Sequence, residues 1–132
     1  MRPAIIERWH QLVATGETSG VDDLLADEAT FQSPIVHTPQ VGKAITSAYL
    51  QAAAQLLNNG HFVYVNEWYG ERSAVLEFET MVEGISINGV DIIHWDAAGQ
   101  IVRFKVMIRP LKAINLLHEL MRKALQGMAP VG

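Results

Sequence analysis

Ile5, Ile6, Trp9, Leu12 and Val13 recur at helical spacing, and Pro3 is suited to open that helix. Thr15-Gly16 supplies a C-terminal stop. Ser19-Gly20-Val21-Asp22 resembles a capping box opening a short helix through Val21, Leu24 and Leu25. Ala29 to Ser33 reads as a short strand closed by Pro34. The clearest helix follows Pro39-Gln40-Val41-Gly42, with Val41, Ile45, Ala48, Tyr49, Ala52, Leu56 and Leu57 on one stripe ended by Asn58-Asn59-Gly60. From His61 the period falls to two. Phe62–Val65 with Trp68-Tyr69, Ala74–Val82, Ile87–Trp95 and Ile101–Arg109 then form a meander of four strands. Its turns fall at Gly70-Glu71, at Gly84 and at Asp96–Gly99. Pro110 opens a last helix through Leu111, Ile114, Leu117, Leu120, Met121 and Leu125, stopped at Gly127. Helices set apart from an antiparallel sheet give the α+β class, and a sheet curling over the middle helix leaves an internal pocket.

Composition narrows the possibilities. The 132 residues are 49% hydrophobic and 18% charged, enough for one well-filled domain spanning 1–132. With no Cys, disulfide scaffolds, Cys-ligated metals and thiol catalysis are excluded. Lys+Arg 10 against Asp+Glu 14, net charge −4, speaks against nucleic acid as a partner. No apolar run is long enough for a membrane span, and Arg2, Glu7 and Arg8 interrupt any secretory segment. The expectation is a cytoplasmic protein. His10, His37, His61, His94 and His118 form no metal-ligand spacing, and no glycine-rich phosphate loop is present, so neither a metal nor another cofactor is expected.

Three stretches carry a family resemblance: Leu24 through Pro34, Gly42 through Tyr49, and Gly89 through Ile101. With them the chain resembles the nuclear transport factor 2-like superfamily, specifically its SnoaL-like branch of small cone-shaped α+β barrels. The resemblance implies a curved antiparallel sheet wrapped around helices, an internal pocket and a homodimer formed through the outer sheet face. It does not name a reaction, because this fold hosts isomerases, polyketide cyclases, epoxide hydrolases, dehydratases and non-catalytic modules. Distant similarity to the Δ5-3-ketosteroid isomerases puts Ser33 at the general-base position, Trp9 at the position of an oxyanion-hole Tyr and Asp91 at that of a protonated Asp. A Ser hydroxyl is not basic near neutral pH, and an indole N–H donates but cannot relay a proton, so steroid isomerisation by that mechanism is disfavoured.

Asp91 is the main candidate for chemistry. It alternates with Ile93 and Trp95 on one strand face, where lost hydration should raise its pKa and fit it for acid–base work. The bland alternative is a structural Asp satisfied by backbone amides or by the Trp9 N–H. His37, in the loop after Ser33-Pro34, is the second candidate, against the plainer reading of a solvated loop histidine. Trp9, Phe31, Ser33, Tyr49, Tyr64, Phe78, Ile93, Trp95 and Phe104 are expected to line the pocket, which suits a small apolar or cyclic ligand. His94 falls on the opposite face. Glu77 and Glu79 on one strand, and Arg103 and Lys105 on another, read as cross-strand charge pairs. Val75, Met81, Val90, Ile92 and Met107 make that outer face apolar enough to meet a second copy. The functional expectation is acid–base catalysis of isomerase, cyclase or hydrolase type. Its alternative is a non-catalytic ligand-binding or dimerisation module.

Overall fold

The computed structural model describes residues 2–128. Helix α1 (Ala4–Thr15) ends at Gly16, whose left-handed φ of 71° lets its amide reach back to the Leu12 carbonyl. A 3-10 turn at Thr18–Gly20 leads into α2 (Val21–Leu24). The expected capping box is not formed: α2 has no side-chain cap, and Ser19 Oγ is turned to Glu17.

The chain continues through β1 (Leu25–Gln32), β2 (Gln40–Val41), α3 (Lys43–Leu57), β3 (Val63–Tyr69), β4 (Ser73–Val82), β5 (Ile85–Trp95), β6 (Ile101–Arg109) and α4 (Leu111–Met128). Strand β1 begins four residues before the expected Ala29, because buried Leu25 and Ala26 already run along the sheet while Asp27 and Glu28 stay exposed at an irregularity in the ladder. Val41 belongs to a short edge strand opposite Thr30 rather than to the helix stripe. Helix α4 runs past Gly127 to Met128; an interior glycine costs a helix about 1 kcal/mol and need not end it.

The six strands form one curved, unclosed sheet in the order β2-β1-β6-β5-β4-β3. The expectation of a purely antiparallel sheet is corrected at one seam. β1 lies parallel to β6, since the chain makes the whole β3–β6 meander before returning beside it. The class is α+β as expected. On the concave face Leu76, Phe78, Ile93, Phe104 and Phe31 meet Ile6 and Trp9 of α1 and Leu50 of α3. The β4–β5 ladder is regular from Ser73 to His94 and the β5–β6 ladder keeps register up to a shift between His94 and Trp95, and this fixes the rows in which side chains face the concavity.

One close approach shapes the sheet beside the site. A Cβ on Gly89 would stand 2.6 Å from the Met107 carbonyl oxygen and from Phe78 Cζ, so only glycine fits there.

Candidate active site

Asp91 is on the concave face of β5, level with Leu76 of β4 and Val106 of β6. It is 6% exposed, and its neighbours on that face are apolar. Tyr64, projecting from β3, donates its hydroxyl proton to Asp91 Oδ2 over 2.6 Å. Trp9 of α1 donates its indole N–H to the Tyr64 oxygen over 2.9 Å. A phenol has one proton, so accepting from Trp9 leaves Tyr64 to give that proton to Oδ2. A proton on neutral Asp91 therefore resides on Oδ1, which makes no hydrogen bond among the described residues, and the Asp91 side chain borders a cavity.

Burial pushes the Asp91 carboxyl up to about 7, and the Tyr64 hydrogen bond restrains the rise. Tyr64 is driven well above the ordinary phenol range, first by burial and then by the adjoining Asp91 charge. The phenol thus stays a donor, while the carboxyl populates both protonation states near neutrality.

The expected single pocket is two adjoining chambers. The smaller, about 270 Å³, holds Asp91, Tyr64, Trp9, Phe78 and Phe104, with Leu50, Phe62 and the α3 end around them. The larger, about 560 Å³, holds Phe31, Ser33 and Tyr49 and is roofed by Leu117, Met121 and Leu125 of α4. Ala53, Leu57 and Val106 border both. Tyr49 stacks on Phe31 with ring centroids 5.1 Å apart. Ser33 follows Gln32, which pairs with Lys105, so it stands beside Val106 on the side away from Asp91. Two strand spacings put these side chains roughly 10 Å apart. The Ser33 hydroxyl accepts amide protons from Ile35 and Val36 at 3.2 and 3.0 Å, a local turn contact.

Two expected lining residues lie elsewhere. Ile93 is fully buried in the core, and Trp95 packs against that core near the end of β5; neither borders a chamber. His37 is exposed on a shallow outer groove and borders neither chamber, so it does not join Asp91. His94 is on the convex face, where burial and then Arg103 and Lys105 lower its pKa. The expected Glu77–Arg103 type of pair is not formed, because β5 stands between β4 and β6. Glu77 instead accepts from Asn66 and Asn88, both at 3.0 Å.

One polar cluster behind the site went unforeseen. Glu67 of β3 lies 2.6 Å from His10 Nε2 and accepts from Arg2 at 3.2 Å and from the Tyr69 hydroxyl. The His10 contact is not an aligned N–H hydrogen bond, and burial lowers the His10 pKa below the ordinary imidazole value against the pull of Glu67. Burial opposes ionisation of Glu67, but Tyr69, His10 and Arg2 outweigh it and hold the carboxyl below its usual range. The His10 ring also packs edge-on against Tyr64 at 4.9 Å. The only sequence signal for this cluster was the opposed charges, which gave no partner. Among the described residues no group of three or more His, Asp and Glu side chains is placed to hold a metal ion. No described helix is long and apolar enough to cross a membrane.

Residues 6–104 match the SnoaL-like domain family. A steroid delta-isomerase from Pseudomonas aeruginosa is similar in structure, with 34% identity and a TM-score of 0.88, covering 93% of this chain and 90% of that one. A bacterial protein with a cystatin-like fold from Silicibacter pomeroyi aligns at 27% identity and TM-score 0.87, over 95% and 87% of the two chains. The epoxide hydrolase/cyclase-like enzyme SalBIII shares the fold at 15% identity and TM-score 0.65, over 80% and 88%. No curated protein matches the sequence. With three quarters of its length inside the family's span, the chain belongs to the SnoaL-like domain family.

Proposed function

We propose that the protein is an acid–base catalyst whose single proton carrier is Asp91, acting on a small apolar or cyclic substrate in the smaller chamber. The observation that carries the reading is the Trp9–Tyr64–Asp91 chain, which holds one carboxyl oxygen and leaves the other without a hydrogen bond among the described residues, on a side chain that borders an apolar cavity. In its ionised form Oδ1 takes a proton from a carbon next to a carbonyl, and the C–H electron pair passes into the enolate. In its neutral form Oδ1–H returns the proton to carbon or gives it to a substrate oxygen. A carboxyl poised near the working pH is suited to both halves of such a transfer. Similarity to a protein described as a steroid delta-isomerase supports an isomerase-type reaction. Ser33 does not share the Asp91 chamber, so Asp91 must both withdraw and restore the proton.

The same reading has the protein working as a homodimer through the convex face. Val75, Val90 and Ile92 are half-buried there, beside exposed Val63, Trp68, Met81 and Met107. It also places the protein in the cytoplasm, with no nucleic-acid or membrane partner.

The test is exchange of solvent deuterium into a panel of small cyclic ketones. Catalysed exchange that disappears in Asp91→Asn, with the fold retained, supports the reading. Exchange unaffected by that substitution, or an Asp91 pKa near 4 by carbon NMR, the reference for an exposed Asp, ends it.

A further inference from the structure

The larger chamber has a polarity of its own. Its walls are apolar and aromatic, supplied by Phe31, Tyr49, Leu56, Leu117, Met121 and Leu125. The charged or titratable groups bordering it are His118 and Arg122, besides the phenol of Tyr49, and no Asp or Glu does so among the described residues. His118 and Arg122 are one helical turn apart on α4, so both emerge on the side that roofs the chamber. Arg122 gives one N–H to Glu119 at 2.5 Å, and Lys123 lies 3.9 Å from that same carboxylate. Glu119 thus answers two cations, and the guanidinium has further donors.

We infer that this chamber takes the hydrocarbon body of an organic monocarboxylic acid, with the carboxylate held at the mouth by Arg122 and His118. Burial of the hydrocarbon supplies the affinity and the cationic rim sets its direction, polar end outward. The shared border at Ala53, Leu57 and Val106 lets the far end of such a molecule continue toward Asp91. That continuation rests on the chemistry proposed for Asp91; occupancy of the larger chamber does not.

Fluorescence titration of the full chain with cis-parinaric acid, an eighteen-carbon polyene acid, and with its methyl ester tests the inference. The acid is expected to bind saturably and more tightly than the ester. Arg122→Gln should weaken the acid about five- to tenfold, as loss of a half-exposed charged contact implies, and leave the ester unmoved. Met121→Trp, or Tyr49→Ala on the opposite wall should the first variant not fold, should weaken both ligands. Equal binding of acid and ester, indifference to Arg122→Gln, or no saturable binding overturns the inference. Acid binding that persists while Asp91 shows an ordinary pKa refutes the proposed catalysis and leaves the chamber assignment standing.

Discussion

Tyr64 gives its only proton to Asp91 across 2.6 Å, and it is free to do so because Trp9 occupies the phenol oxygen as a donor. The buried carboxyl is thereby held at one oxygen and open at the other. Burial raises the carboxyl, and the phenol limits how far.

That balance makes fold stability depend on pH. The carboxyl ordinarily titrates at 3.8 and does so here at about 7. Between those values the native state holds a proton that the unfolded chain has lost, so stability falls as pH rises. Relative to Asp91→Asn, the wild type should lose on the order of 4 kcal/mol from pH 4 to pH 8, by chemical denaturation at each pH. A flat difference between the two proteins would mean that Asp91 is not perturbed.

Tyr64→Phe removes the bond that restrains the carboxyl and orphans the Trp9 N–H. The Asp91 titration should move to still higher pH, read by carbon NMR. Any Asp91-dependent rise of kcat/KM with pH should move with it. The stability cost should be about 1–3 kcal/mol, that of an unpaired buried donor. A downward shift of the titration would contradict the hydrogen-bond direction assigned here.

Gly89→Ala places a methyl group against the Met107 carbonyl and the Phe78 ring. Backbone on one side and a packed aromatic on the other leave little room to yield. A loss of about 2 kcal/mol or more is expected in urea unfolding, in the range of overpacked sites. Unchanged stability would show that β5 and β6 can part at this point.

Ile92 is half-buried at the centre of the convex face, between Val75 of β4 and Lys105 of β6. If two copies meet there, Ile92→Glu should convert a dimer to a monomer in sedimentation at micromolar concentration. A wild type that sediments as a monomer would remove the dimer from the proposed function.

Strand β4 was legible because its alternation is unbroken: Ala74, Leu76, Phe78 and Thr80 face inward as their spacing demands. The face of Asp91 followed from the same parity. What the spacing did not carry was depth. Ile93 and Trp95 share the parity of Asp91, yet they lie where the core closes rather than where it opens. The parallel seam between β1 and β6 was equally hidden, since pairing between strands so far apart in sequence leaves no local trace. The seam matters because it sets Ser33 and Asp91 on opposite flanks of one strand. The Tyr64 partner was a near miss. The Trp9 N–H is one of the partners that the structural alternative gives Asp91, and the two are linked through one intervening hydroxyl.

Val106 sits between the two halves of this interior as a sill. A bulkier side chain there would narrow both rooms and a trimmed one would widen them, and either change would also alter the packing beside the acidic group on the neighbouring strand. The length of molecule such a protein accommodates and the setting of its acid thus meet at one position on β6.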